Sequence, residues 1–409
     1  MTLIECFSDM PVDNISACLN LEPEKLIFLG DKSEMKKTVH RYEALLQQRG
    51  MATAIELWEA DTGEMGSLIP SLRKLLLKEE HCVIDLTGGD EPVLMAVGAA
   101  LNGLDKWQRR QVSVQKYDPE LGRWKDLDGD GWVIPGQQVQ FTVNELIALH
   151  GGIVASHGFV PQPHHKTEEL QELWHYICQD PRRWNDSIAL LVNFESHADS
   201  KTQVFLYLPA IAEGIRNFDE KLPRMRSVIA KLQELGVAKD QSNENCIQYT
   251  YTSELMRKCA NREGNVLEFL TLMHAREMTE EGKPFFYDLL PGVFIDWDGV
   301  NRNEGKEGNW EPEVQNEVDM VAVRNGVPLF VSCKNGDVKE EELYKLSTVV
   351  RRFGGPYAKK MLIATNIGKG GVGLEGFRQR AKELGIYLVP HAAKMTTEQW
   401  QEAFRNAMK

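Results

Sequence analysis

The stretch "HCVIDLTGGDEPVLMAVGAAL" occupies residues 81–101. It opens as a short apolar run, breaks at a Gly-Gly turn, and from Pro92 becomes Ala-rich with helical character. A strand that turns at glycines into a helix is one βα unit. The same alternation repeats upstream. "TLIECFS" is followed by a helical stretch near Val12–Leu21, and "KLIFLG" (25–30) reads as a buried strand ending in "DKSEM". A helix follows over Lys36–Arg49, then the strand-like "TAIELWEA", then apolar residues at helical spacing over Leu68–Lys78. Alternating βαβα predicts a parallel, doubly wound sheet with helices on both faces, and ligands of such sheets bind outside the carboxyl ends of the strands. The loops so placed are Ser8–Asn14, Gly30–Met35 and Thr87–Glu91.

Beyond two hairpin-like strands, "HGGIVASHGFVPQPHHKTEE" is rich in Gly, His and Pro and reads as a domain boundary near 155–166. Residues 167–258 are mixed, with helical stretches at Glu168–Gln179 and Arg224–Gly236 before the strand "CIQYTYT", an order resembling a winged helix. A third block begins near Asn261: helix "VLEFLTLMHARE", strands "FFYDLLPGVFID", "EVDMVAV" and "PLFVSCK", helix "EEELYKLSTVVRRFG", strand "KKMLIAT", helix "LEGFRQRAKELG" and strand "IYLVP".

The chain has 409 residues and a formal net charge of −13, against a protein that coats nucleic acid through bulk charge. The sum is uneven. Residues 1–200 carry 18 basic and 31 acidic side chains, residues 251–350 carry 11 and 19, and residues 351–409 carry 11 and 4. That basic tail includes Arg351, Arg352, Lys359, Lys360, Arg378, Arg380 and Lys382, which suit a phosphate backbone.

The N-terminus lacks the basic and apolar regions of a signal peptide, and no apolar run is long enough to span a bilayer. Seven cysteines without a CxxC pair fit reduced thiols, so a cytoplasmic protein with no membrane attachment is expected.

Two motifs are set aside. "DLDGDGW" (126–132) starts like a calcium loop but has Gln137 where a bidentate Glu is required, and reads as a hairpin turn. "IGKGGVGLEG" (367–376) lacks the Lys-Ser/Thr of a P-loop and reads as a glycine loop. His150, His157, His164 and His165 read as solvated linker residues.

The chemistry concentrates between Glu268 and Glu342. "NEVDMVAV" (316–323) runs from a charged stretch into an apolar strand, and "PLFVSCKNG" (328–336) is a second strand that ends at Lys334. Twelve residues separate Asp319 from Ser332. Adjacent strands of this kind set an Asp beside a Lys: the carboxylate suits a hard divalent cation, and the ammonium neutralises an attacked phosphate or holds the attacking water. Glu268 is a carboxylate on an otherwise apolar helix face, and Glu317 precedes the Asp319 strand. Glu340, Glu341 or Glu342 can fold back over the strand end, and helical phase alone does not choose among them.

This set resembles the PD-(D/E)xK restriction-endonuclease-like nucleases, with one departure: the Glu-x-Lys triplet reads Ser332-Cys333-Lys334. "EELYKL" (341–346) resembles the helix start of this group and points to Glu341 as the replacement acid. "DLTGGDEPVLMAVGAAL" (85–101) resembles the CARF sensor domain, and its combination with the block downstream resembles the CARF-nuclease effectors of type III CRISPR antiviral defence.

The resemblance implies an α/β chain in three parts. Residues 1–158 would be a Rossmann-like CARF sensor, 159–258 a mixed α/β, winged-helix-like linker region, and 259–409 a restriction-endonuclease-like nuclease. It implies a homodimer that binds a cyclic oligoadenylate, usually the tetra-adenylate, and then cuts DNA and/or RNA with Mn²⁺ or Mg²⁺ and low sequence specificity. The metal ligands would be Asp319, Glu341, Glu268 and Glu317, with Lys334 catalytic. The activator would be held by Ser8, Asp9, Met10, Gly30, Asp31, Lys32, Thr87, Gly88, Gly89 and Asp90, and nucleic acid by Arg351, Arg352, Lys359, Lys360 and Arg378. The missing acid at Ser332 supports an alternative, a nucleotide-sensing DNA-binding regulator with an inactive nuclease core.

Overall fold

The computed structural model describes residues 1–79, 81–118, 123–128, 139–300, 314–336, 338–365, 367 and 371–409. "DLDGDGW" from Gly129 onward, with Gln137, and residues 368–370 of the glycine loop lie outside the described residues.

The first sheet is built from β1 (Thr2–Cys6), β2 (Lys25–Gly30), β3 (Ala54–Glu59), β4 (Cys82–Asp85), β5 (Val112–Asp118) and β6 (Arg123–Asp126). Between them run α1 (Asp13–Leu21), α2 (Lys32–Gln48), α3 (Met65–Lys78), α4 (Glu91–Asn102) and α5 (Lys106–Arg109). Strand order is β3-β2-β1-β4-β5-β6, parallel except for β6. The order reverses between β1 and β4, so the crevice beyond their carboxyl ends is the topological switch point. "KLIFLG" is apolar on both faces because helices cover both sides of the sheet. Asp31 caps α2, its carboxylate accepting from the Ser33 and Glu34 amides.

The chain then forms α6 (Val143–Leu149) and β7 (Ile153–Ser156). Next come α7 (Gln171–Gln179), α8 (Pro181–Glu195), β8 (Gln203–Tyr207), α9 (Leu208–Ile211), α10 (Phe218–Glu234), β9 (Ala238–Asp240), β10 (Cys246–Tyr251) and α11 (Glu254–Cys259). The three strands pair in the order β8-β10-β9 over a separate apolar core that includes Trp184, Leu191, Phe194 and Ile229.

The last part comprises α12 (Asn265–Glu277), β11 (Thr279–Glu280), β12 (Lys283–Pro284), β13 (Asp288–Asp296), β14 (Gln315–Arg324) and β15 (Val327–Lys334). It continues with α13 (Glu341–Phe353), β16 (Lys359–Ala364), α14 (Gly371–Glu383), β17 (Ile386–Val389) and α15 (Thr397–Ala407). Its sheet order is β17-β16-β15-β14-β13-β7. β14 and β15 meet at Asn325-Gly326, both at positive φ, the turn chemistry a tight hairpin selects.

β7 departs from the sequence boundary. Residues 153–156 were expected within the first domain, yet they pair with β13 as the edge of the second large sheet. One apolar core also joins the two sheets, with Phe7, Phe28, Tyr42 and Phe141 in the same cluster as Val321, Phe330, Val350 and Phe353. Each such buried side chain contributes about 1.5–3 kcal/mol, so the first and third parts stabilise each other directly. All seven cysteines are unpaired, and among the described residues no helix is long and apolar enough to cross a membrane.

Candidate functional site

The β14–β15 ladder ends at the Met320–Val331 pair. One residue further, where the strands splay, the Asp319 carboxylate takes the place of the missing backbone partner. Its Oδ2 accepts from the Cys333 amide at 2.6 Å and from the Ser332 hydroxyl at 3.1 Å. Lys334 Nζ stands 3.5 Å from the same oxygen. Ser332, at the position of the expected acid, therefore locks Asp319 in place and leaves Asp319 Oδ1 without a hydrogen bond among the described residues.

Lys334 Nζ also pairs with Glu342 Oε2 at 3.4 Å, and Glu342 Oε1 holds Lys345 at 2.8 Å. Burial works against the Lys334 ammonium, but the charges of Asp319 and Glu342 hold it above its usual range. Of the three helix glutamates, the structure brings Glu342 to the lysine. Glu341, preferred from the sequence pattern, is exposed, because α13 begins at that residue and its buried stripe runs through Leu343, Leu346 and Val350.

Glu268 projects from α12 into the same strand end and is half-buried. Burial, then the neighbouring charge of Asp319, raises its carboxyl to about 7. Glu317 is committed elsewhere: Arg262 Nη1 donates to it at 2.8 Å and pairs with it in a partly exposed bridge. Sequence reasoning missed Arg262, Asn335 and Asn185. Asn335 donates to Asn185 Oδ1 and to the Glu263 carbonyl, while the Thr365 hydroxyl donates to Asn335 Oδ1 at 2.7 Å. That clamp fixes the chain just after Lys334. Its partners are 30 to 150 residues away, and no local pattern announces them.

Among the described residues, no three His, Cys, Asp or Glu side chains form a ready-made metal cage. Two carboxylates, Asp319 and Glu268, converge at the strand end, where burial and then the charge of Asp319 raise the Glu268 carboxyl. Mg²⁺ is commonly held by one or two carboxylates, with water and substrate phosphate completing its shell, and this donor set fits it.

In the first sheet, the loops after β1 and β4 meet. A Cβ on Gly88 would lie 2.8 Å from the Cys6 carbonyl and from Ser8 Oγ, so Ser8 and Thr87-Gly88-Gly89 form one wall at the switch point. The Asp85 carboxylate accepts from the Thr87 amide, and Thr87 Oγ1 accepts from the Tyr117 amide. Asp90 lies just before α4 and makes no side-chain capping bond. Gly30 packs against Phe7, Asp31 is the α2 cap and Lys32 is exposed.

Ser8, Asp9 and Met10 line a cavity of about 400 Å³ with Arg41, His150, Arg351 and Arg352. The basic residues expected along one nucleic-acid track are thus divided. Arg351 and Arg352, on the last turn of α13, face the first sheet. Lys359, Lys360 and Arg378 line a separate groove with Lys382 and Lys409. That groove sits at the start of β16, whereas Lys334 aligns with Ala364 at its end. Five residues of strand, about 17 Å, lie between. His150 and His165, expected in a solvated linker, are buried, and His165 bonds Glu169.

These features define a class: a Rossmann-like sheet fused through a small α/β unit to a restriction-endonuclease-like sheet with an Asp-Lys pair at its strand end. No family model matches the chain, and no curated protein matches it in sequence. Solved structures do match it. Protein VC1899 from Vibrio cholerae is 18% identical, with a TM-score of 0.67 over 100% of this chain and 97% of that one. Can2 from Sulfobacillus thermosulfidooxidans, solved in complex with cyclic tetra-adenylate, is 15% identical, with a TM-score of 0.64 over 100% of this chain and 99% of that one. At these identities the likeness is one of fold, and it extends over the whole chain.

Proposed function

We propose that this protein is a cyclic-tetra-adenylate-activated, metal-dependent endonuclease of type III CRISPR defence that acts as a homodimer in the cytoplasm on DNA and/or RNA phosphodiesters. The observation that carries the reading is the Asp319–Lys334 pair, held at a strand end by the Cys333 amide and the Ser332 hydroxyl. The full-length likeness to Can2, whose structure contains the cyclic ligand, supports the activator.

Asp319 and Glu268 would hold Mn²⁺ or Mg²⁺, which when bound supplies a Lewis acid for the phosphate and a more acidic water. Asp319 anchors the site through Oδ2 and offers Oδ1. Lys334, kept charged by Asp319 and Glu342, places its ammonium where negative charge develops on the attacked phosphate. Arg262 neutralises Glu317 at the rim. Ser8, Thr87, Gly88 and Gly89 would form the activator wall, with Gly88 allowing close approach of a phosphate to backbone amides.

A second reading, a DNA-binding regulator with an inactive core, draws on the middle unit. There the order α8, β8, α9, α10, β9, β10 is that of a winged helix. One experiment separates the two: plasmid, single-stranded DNA and RNA cleavage with Mn²⁺, with and without cyclic tetra-adenylate, for the wild type, Asp319→Ala and Lys334→Ala. The nuclease reading expects ligand-dependent cleavage that both substitutions remove. Ligand-dependent DNA binding without cleavage by the wild type would favour the regulator, and full cleavage by both variants would overturn the site.

A further inference from the structure

The cavity beside the β1 loop is built by both large sheets. Ser8, Asp9, Met10 and Arg41 come from the first, and Arg351 and Arg352 come from α13 of the last. The contact is direct: a Cβ on Gly355, just past α13, would meet Met10 Cε at 2.6 Å and His150 Nε2 at 3.4 Å. Gly355 sits at φ +71°, which favours glycine and permits this approach.

The chemistry of the lining specifies its occupant. Arg351 and Arg352 are exposed and make no ion pair among the described residues, and Arg41 donates to the Leu149 carbonyl. Of the carboxylates nearby, Glu34 is already held by Lys37, which leaves Asp9. Three arginines thus line one cavity with a surplus of positive charge. His150 adds a second requirement. It is 8% exposed, and its Nδ1 is 2.9 Å from the Leu146 carbonyl, to which it must donate. Burial, with Arg41 and Arg352 close by, holds the imidazole below its usual range and therefore neutral. Nε2 is then an acceptor, buried and without a partner. A cationic wall with one buried acceptor fits a phosphodiester whose own hydroxyl or amino group donates: a nucleotide unit.

We propose that Arg351 and Arg352 of α13, with Arg41 and His150, hold one nucleotide of the cyclic activator, so that a single helix touches activator at its last turn and Lys334, through Glu342, at its first. This rests on the reading of the protein as activated by a cyclic oligoadenylate. Arg351 lies nine positions after Glu342, about 14 Å along the helix axis. Basic residues in a last turn also suit the helix dipole, but that role requires neither a cavity nor an unpartnered imidazole among its lining residues.

The test is equilibrium binding of labelled cyclic tetra-adenylate and of AMP to the full-length protein, comparing wild type with Arg351→Ala/Arg352→Ala, each checked for an unchanged melting temperature. The double variant is expected to bind the ring at least about tenfold more weakly, since charge-assisted bonds are lost. Half-maximal cleavage should need proportionately more activator. Unchanged ring affinity in the double variant overturns the proposal. If the wild type binds AMP but not the ring, the activator reading fails, and loss of AMP binding in the double variant still supports the pocket. If the wild type binds neither, the pocket proposal falls as well.

Discussion

Both six-stranded sheets gather acids near the carboxyl ends of their central strands, with opposite results. In the first, Glu5 and Asp85 face each other across β1 and β4, both fully buried, and Asp13 lies close by. Among the described residues, no lysine or arginine forms an ion pair with Glu5 or Asp85, and neither Glu5 oxygen has a hydrogen-bond partner. Burial, then like charge, pushes Glu5 well above its usual range, Asp85 rises to about 6 through burial and Asp13 to about 7. In the second sheet, Asp319 has a lysine within 3.5 Å, and Glu268 lies partly buried beside it. Glu5 keeps its proton, and with Asp85 and Asp13, which titrate near neutrality, it forms a floor of reduced charge under the β1 and β4 loops. Asp319 and Glu268 instead share a nearby lysine, and Glu268 keeps partial access to solvent.

The contrast breaks first at Asp319. Asp319→Asn keeps the shape but loses the charge that holds Lys334 and that the proposed metal would need, and on the proposed function activated cleavage should fall by about 1000-fold. A smaller loss would mean that the pair is structural.

Next comes Glu268. With its carboxyl at about 7 in the metal-free protein, protons compete with the cation below that pH. Cleavage should rise with pH up to about 7 and then level off, and more Mn²⁺ should move the rise to lower pH. Glu268→Gln should cost about 100-fold and abolish that limb, as a rate–pH series would show.

The two helix glutamates provide a sharper test at lower amplitude. Glu342→Gln loosens Lys334 and should cost about tenfold in cleavage, while Glu341→Gln, on an exposed carboxylate, should change it by less than about twofold. The reverse ranking would restore the choice suggested by the sequence pattern.

The smallest effect concerns Glu5 in that floor. Glu5 has a raised folded-state value, so its contribution to stability is complete below about pH 4.5 and declines as pH rises toward the folded-state value. Glu5→Gln, neutral throughout, should raise the melting temperature by about 2–4 °C at pH 8 and leave it unchanged at pH 4.5. Scanning calorimetry at the two values checks this.

The legible features were those written in short-range pattern. The βα alternation of residues 1–101 and the Asp-to-Lys strand pair follow from periodicity and spacing. What escaped depends on distant partners. Arg262 reaches Glu317 across 55 residues, and Asn335 is clamped by Asn185 across 150. The choice of Glu342 over Glu341 turned on where α13 begins, which a run of three glutamates does not reveal. Arg351 and Arg352 read as part of one basic surface because sequence shows charge but not which end of a helix meets which sheet.

β7 has a consequence for how the molecule comes to be made. This four-residue strand precedes the middle unit yet pairs with β13, which is synthesised about 140 residues later. The second large sheet can nucleate from its own strands, but it cannot close its edge until a segment from the amino-terminal side arrives. Long-range pairing of this kind slows folding. A fragment starting at residue 259 would expose β13 as an unprotected edge with free amides and carbonyls, a template for pairing with another copy. The first and last parts of the chain are therefore stitched together during folding, and expressing residues 259–409 alone should give aggregates before it gives a folded domain.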